Sequence, residues 1–245
     1  MIIKSEDGSY TAFSETFNEH YHSTKDGALK ETLHKHIIPA FSFCKDKKEL
    51  HILDICFGLG FNTLATICYA KKHFPNMKLF IYSPEFDQEL IHSLKSFIYP
   101  KEFTPYLDIL HTIIETNSYQ DESLHVNLFI GDAREYIKQF SSVFDIVYQD
   151  AFSPQSNPAL WTKEYFHNIK TALKPDGILT TYSIALPVRL SLHVNDFYIY
   201  LYKQKDVRDS TIASLQKLPN LTPIDMLHKI NCNPTVLPLN DSDLF

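Results

Sequence analysis

The sequence predicts an open α/β fold with a mostly parallel sheet, and three observations carry that prediction. A short apolar strand at residues 52–56 passes through Gly58 and Gly60 into residues 61–74, where apolar residues recur at helical spacing. Three further apolar runs follow at residues 78–83, 126–130 and 144–149. Each run ends in a turn that carries an acid or a glycine. Four strands ending in this way set those groups along one carboxyl edge, which is where open α/β sheets bind ligands.

The first tip, within LDICFGLGFNT at residues 53–63, needs its glycines because the backbone turns sharply there and leaves room for a ligand against the main chain. The helix that starts beyond it presents free N–H groups. A G-x-G alone also describes an ordinary strand-to-helix turn. The second tip, Ser83-Pro84-Glu85, sets a carboxylate about 25 residues after the glycines, where nucleoside-binding α/β proteins hold ribose hydroxyls. The third tip is Gly131-Asp132-Ala133, and the fourth is Asp150-Ala151-Phe152-Ser153-Pro154.

Before the sheet, residues 10–17 fit an edge hairpin, and residues 27–41 fit a helix with Leu29, Leu33, His36 and Ile37 on one face. Residues 88–125 exceed a plain crossover helix, with Pro100 and Pro105 dividing two helical pieces that form a lid or insertion. A helix is expected at residues 163–173, a turn at Lys174-Pro175-Asp176-Gly177 and a fifth strand at residues 178–183. Residues 197–202 and 209–214 read as a final antiparallel pair. The Pro- and Asn-rich stretch from residue 215 shows no period and is expected to be loosely ordered. The expected organisation is an extension at 1–49, a core at 50–215 with its insertion at about 88–125, and a tail at 216–245.

A chain of 245 residues with 44% hydrophobic content is long enough to bury a core without disulfides. Its four cysteines form no C-x-x-C pair and read as reduced thiols. No secretory apolar region opens the sequence and no apolar run approaches ~20 residues, so a cytoplasmic location and no membrane partner are expected. The net charge of −6 weighs against generic nucleic-acid binding. Local basic segments remain at residues 45–48, 71–73 and 203–208, each of which also reads as a solvated surface.

Residues 150–162, DAFSPQSNPALWT, are similar to the D-x-F-x-P-x-x-N-P-x-[LM]-W-[ST] signature of the methyltransferase half of the bifunctional MnmC tRNA-modification proteins and their stand-alone relatives. Those proteins are class I S-adenosylmethionine-dependent methyltransferases. Phe17-Asn18-Glu19-x-Tyr21-x-Ser23, Gly27 and Glu31-Thr32 resemble the family's opening segment, and Thr181-Tyr182-Ser183 and Val188-Arg189 fit its strand and helix after the signature. The resemblance spans most of residues 10–214. It implies a Rossmann-like sheet with an antiparallel final strand, S-adenosylmethionine as cofactor, and N-methylation of a 5-aminomethyl group on the wobble uridine of tRNA. The partner it implies is the tRNA anticodon loop; the family's flavin-dependent half has no counterpart motif here, so no flavin is expected. The family's acid-x-Gly-x-Gly-x-Gly turn reads Asp54-x-Cys56-x-Gly58-x-Gly60, and a thiol fits the altered position where φ is below zero. The basic segment at 203–208 lacks the family's glycine.

Methyl transfer to an amine is an in-line displacement, and the amine must be neutral, against a free pKa near ~10. The resemblance assigns catalysis to Asp150, which with the carbonyls of residues 151–153 would orient the amine and take up its charge. Cofactor binding would fall to Asp54, Gly58, Gly60, Asn62, Glu85, Gly131, Asp132, Ala133 and Asp150. Glu85 would meet the ribose and Asp132 with Ala133 the adenine, although Asp132 equally suits a helix cap. Asp54 would fix the glycine turn or meet the methionine amine. Substrate contacts would come from Tyr21, Ser23, Glu31, Phe152, Ser153, Pro154 and Trp161, with Phe152 and Trp161 either stacking on uracil or filling the core. The pairs His20/His22 and His34/His36 lack a third ligand, so no metal is expected. Two other readings use the same sheet: a methyl- or aminopropyl-transferase for a small amine, and a catalytically silent binding protein.

Overall fold

A computed structural model describes residues 2–205 and 207–244. The chain opens on a small antiparallel sheet of β1 (Ile2–Lys4), β2 (Tyr10–Ser14) and β3 (Glu19–His20). Helices α1 (Ala28–Thr32) and α2 (Ile38–Cys44) follow, joined by a π-helical turn over Leu33–Ile37. The single helix read over 27–41 is thus one rod with a wide turn in its middle. Beyond it lie β4 (Glu49–Ile55), α3 (Phe61–His73), β5 (Lys78–Glu85), α4 (Gln88–Ser93), α5 (Leu107–Thr116), β6 (Ser118–Gln120) and β7 (Leu124–Ile130). The chain continues with α6 (Ala133–Ile137), β8 (Phe144–Gln149), α7 (Lys163–Ala172), β9 (Leu173–Thr181) and α8 (Leu186–His193). It ends with β10 (Tyr198–Tyr202), β11 (Ser210–Ser214) and α9 (Met226–Cys232).

The main sheet has eight strands in the order β10-β11-β9-β8-β4-β5-β7-β6. Pairings β4–β5, β5–β7, β4–β8 and β8–β9 are parallel, whereas β9–β11, β10–β11 and β6–β7 are antiparallel. The class I methyltransferase architecture inferred from the sequence is therefore present. From β4 the chain winds outward through β5 and β7, then crosses back to β8 on the other side. The order reverses between β4 and β8, and a crevice opens beyond the carboxyl ends of strands at such a point.

Strand alternation separates two apolar cores. Leu50 and Ile52 of β4 join Phe41, Leu64 and Ile113 on one face, while Leu53 and Ile55 join Phe166, Ile169 and Leu192 on the other. Helix α3 starts at Gly60, in the left-handed region at φ 74°, and ends in Lys71-Lys72-His73, whose charges suit the dipole. Thr162 and Asp87 cap α7 and α4 through their side chains.

Three expectations change. Lys174-Pro175-Asp176-Gly177 is not a separate turn; it lies within β9, where the register shifts between the Phe144↔Leu173 and Ile146↔Ile178 pairs. Pro175 has no N–H for the ladder, so an irregularity absorbs it. Strand β6 is absent from the sequence reading, because three residues are too few for a period to show. The tail is packed rather than loose: α9 buries Met226, Lys163 N–H donates to the Leu239 carbonyl at 2.8 Å, and Arg134 grips Asp241 with two hydrogen bonds. Its apolar residues (Ile224, Ile230, Val236, Leu239) seat singly on the second core, so no periodicity arises. Among the described residues no helix is long and apolar enough to cross a membrane.

Candidate active site

The four strand tips converge on a cavity of about 590 Å³, within the range of small-molecule sites. Residues 56–59, 84–87, 131–134 and 150–152 line it, and residues 19–24 with Glu31 close it from the N-terminal side. Gly58, Asn62, Glu85, Gly131, Asp132, Ala133, Asp150, Tyr21, Ser23, Glu31 and Phe152 all reach the wall, whereas Asp54, Gly60, Ser153, Pro154 and Trp161 stand behind it.

The first turn is strained. Cys56 has φ 67°, not the negative value expected for a side chain at that position, and Gly58 has φ 54°. Phe57 N–H donates to the Pro84 carbonyl at 3.1 Å and Gly58 N–H to Glu85 Oε2 at 2.9 Å, so the glycine turn is tied to the next strand tip. Glu85 Oε1 accepts from Phe86 and Asp87 N–H at 2.8 and 3.0 Å. The carboxyl is buried, and burial pushes its pKa up against the pull of these three N–H donors. Glu85 is therefore not a solvated turn acid.

Asp54 is fully buried and accepts from Asn62 Nδ2 at 3.1 Å and Thr63 Oγ1 at 2.9 Å, bracing the start of α3. Burial pushes Asp54 up to about 7, helped by the Asp150 charge. Asp132 Oδ1 caps α6 by accepting from Arg134 N–H at 2.7 Å, and the residue also lines the cavity.

Asp150 follows β8 beside the order reversal. Its Oδ2 accepts from Asn62 Nδ2 at 2.9 Å, and its Oδ1 lies 3.3 Å from His36 Nε2. Burial pushes its carboxyl up, but the His36 imidazole, His22 and the Asn62 hydrogen bond outweigh that and hold it below the usual range. Asp150 therefore remains ionised inside the cavity. The Ala151 carbonyl already accepts from Tyr182 O–H at 2.9 Å and the Phe152 carbonyl from Trp161 Nε1–H at 2.7 Å. These two carbonyls hold the loop in shape, and Trp161, fully buried and edge-on to Tyr182, is part of that lock rather than a surface for a base. Ser153 is tied by its N–H to Glu19 Oε2 at 3.1 Å.

The Phe152 ring faces outward into an aromatic wall, stacked on Phe17 at 4.6 Å and tilted on Tyr21 at 4.9 Å. Ser23 N–H donates to Glu31 Oε2 at 2.7 Å, and the buried Lys35 bonds both Glu31 and Asp26. Among the described residues, six acids line the cavity (Glu19, Glu31, Glu85, Asp87, Asp132 and Asp150) against two arginines that are already paired, Arg134 with Asp241 and Arg208 with Asp26. Asn62 Oδ1 is a buried acceptor without a partner among the described residues. This wall fits a cationic ligand.

Sequence reasoning missed His22, His36 and Phe86 as cavity or near-cavity groups. The two H-x-H pairs mark the histidines, but their spacing suggests only metal ligation. Among the basic segments, Arg208 lines the cavity, whereas Asp206 lies outside the described residues. Lys71 bonds Ser123 at the far end of α3, a 13-residue helix of about 20 Å, and Lys47 pairs with Asp145 and Asp176. Those lysines sit at the opposite edge of the sheet from the cavity.

Known proteins resemble this chain in both sequence and fold. A family model described as S-adenosyl-L-methionine-dependent methyltransferase matches residues 101–215. The crystal structure of MnmC2 from Aquifex aeolicus superposes with a TM-score of 0.84 at 33% identity, covering 99% of this chain and 79% of that one. An uncharacterized protein of Methanocaldococcus jannaschii is 31% identical over 237 residues, 91% of this chain and 61% of its own length. The tRNA 5-methylaminomethyl-2-thiouridine biosynthesis bifunctional protein MnmC of Leptospira interrogans is 28% identical over 209 residues, 76% of this chain. The chain spans 31% of that larger protein. It belongs to the MnmC2 family of S-adenosylmethionine-dependent methyltransferases, and S-adenosylmethionine is its cofactor.

Proposed function

We propose that this protein transfers a methyl group to the primary amine of a 5-aminomethyl group on the wobble uridine of tRNA, giving 5-methylaminomethyl(-2-thio)uridine. The observation that carries the reading is a carboxylate, Asp150, held by Asn62 and facing His36 at the sheet's order reversal, beside an aromatic wall. The family relationship and the names of the MnmC relatives support the tRNA substrate.

The cofactor supplies an electrophilic methyl group on a cationic sulfonium. Glu85 and the Gly58 turn would hold its ribose side, and Asp132, Ala133 and Gly131 its base. The acidic wall and the free Asn62 Oδ1 suit its positive charge. Asp150 would accept a hydrogen bond from the substrate amine in its neutral form, orient its lone pair for in-line attack and stabilise the positive charge that develops on nitrogen, the demethylated thioether leaving and the surplus proton passing to water. Phe17, Tyr21 and Phe152 offer faces for a uracil turned out of the anticodon loop. With few unpaired cations near the cavity, only about 3–5 phosphate contacts are expected, so base capture must contribute to binding. A cytoplasmic location and the division into extension, core and tail belong to the same proposal.

The test compares methylation of aminomethyl-bearing tRNA with that of free aminomethyluridine nucleoside and small polyamines. The reading expects the tRNA to react far faster. A nucleoside or polyamine that reacts equally well replaces it with a small-amine transferase.

A further inference from the structure

His36 lies outside the cavity wall and yet faces its acid. The residue is fully buried and rides on the π-helical turn Leu33–Ile37, a rare geometry found often at functional sites. Its ring stands edge-on to Tyr148 with centroids 5.8 Å apart. Nδ1 lies 3.0 Å from Thr180 Oγ1, and Nε2 lies 3.3 Å from Asp150 Oδ1. Nε2 makes no formed hydrogen bond among the described residues. The separation is within hydrogen-bonding reach but the ring N–H is misaligned with the oxygen, and catalytic hydrogen bonds are commonly poorly aligned until a site is loaded.

A bare ring nitrogen against a carboxylate oxygen would place two lone pairs in contact in a buried setting. The contact is favourable only with a proton on Nε2. Thr180 can supply the means: a hydroxyl that donates to Nδ1 leaves the ring proton on Nε2. The other ionisable groups around the imidazole are His22, Asp54 and the Tyr148 phenol.

We propose that His36 is a positioning residue for Asp150: with its tautomer set by Thr180, it donates Nε2–H to Oδ1 while Asn62 donates to Oδ2. Both carboxylate oxygens are then pinned and their remaining lone pairs point at the substrate amine. This rests on the assignment of Asp150 as the acid that meets the substrate.

The direct test is nitrogen-15 NMR of histidine-labelled protein saturated with S-adenosylmethionine, with no tRNA present. A proton on Nε2 near neutral pH is expected, and Thr180→Val should mix the tautomers. A neutral ring protonated only on Nδ1 overturns the proposal. Kinetically, His36→Leu should lower kcat on the order of 100-fold, the low end for a positioned acid–base group. Its cofactor affinity should change less than about threefold. His36→Gln, whose amide can donate in place of Nε2, should recover at least about tenfold of that loss. Equal kcat losses in both variants, with native melting and cofactor binding, overturn it as well. Should His36→Leu fail to fold, the NMR measurement alone decides. Wild-type protein that binds the cofactor but never methylates tRNA sinks the function proposed above, while the tautomer measurement still reads on His36.

Discussion

Cys56 offers a sharp test of how the glycine turn is built. It is a non-glycine residue at φ 67°, with its side chain against the second core and the cavity. A left-handed L-residue costs roughly 1–2 kcal/mol. Cys56→Gly removes that strain, loses roughly 0.5–1 kcal/mol to added backbone freedom and about as much again from the missing half-buried thiol. The terms nearly cancel, so Cys56→Gly should match the native stability within about 1 kcal/mol. Cys56→Ala keeps the strain and loses the sulfur, and should fall about 0.5–1 kcal/mol below the glycine variant. Cys56→Val adds a β-branch in the left-handed region and should be worst. Urea unfolding with an unchanged m-value reads the order, and in thermal melts the gap between glycine and alanine should be about 1–4 °C. An alanine variant as stable as the glycine variant would refute the strain argument. The same site predicts chemistry: burial, then the charges of Glu85, Asp150 and Asp54, push the thiol well above its ordinary pKa. Cys56 should therefore resist alkylation at neutral pH until the protein unfolds.

The same geometry sets three further outcomes. Lys35→Met leaves Glu31 with only the Ser23 N–H and Asp26 with only Arg208, and should cost about 2–4 kcal/mol in urea unfolding; a loss under about 1 kcal/mol would show that these remaining partners and water compensate. Asp54 has a folded pKa raised to about 7 from an unfolded value of about 3.9, so its contribution is full below pH ~4 and is lost as pH rises through 7. Melting temperatures from pH 5 to 8 should fall more steeply for the native protein than for Asp54→Asn, and parallel curves would contradict this. Glu85→Ala should weaken cofactor binding by calorimetry about 10- to 100-fold, whereas Asp150→Asn should lower kcat with little change in cofactor affinity. Equal affinity losses in the two variants would count against that division.

The order of strand tips was legible because each buried parallel strand leaves a continuous apolar run and each tip leaves a glycine or an acid. Glu85, Asp132 and Asp150 stand out in this way. The illegible parts are short or non-periodic: β6 has three residues, β9 swallows a Pro-Asp-Gly sequence as an irregularity, and the tail anchors by isolated side chains and the Arg134–Asp241 pair. Trp161 illustrates the limit at the site. Its place in the signature marks it as special, but only the packed structure shows its N–H spent on the Phe152 carbonyl.

The sequence by itself determined the sheet, its ligand-binding edge and the acids along that edge, since all three arise from local periodicity and from which residues tolerate a sharp turn. Tertiary structure alone decided which of these groups share a cavity and what charge they carry there. His36 meets Asp150, far along the chain, because the π-turn packs against Thr180 and Tyr148, and the left-handed Cys56 is held by the Phe57–Pro84 tie between neighbouring strand tips. Such long-range contacts and the burial that sets their protonation arise only when distant segments exclude water together, and no local pattern encodes that.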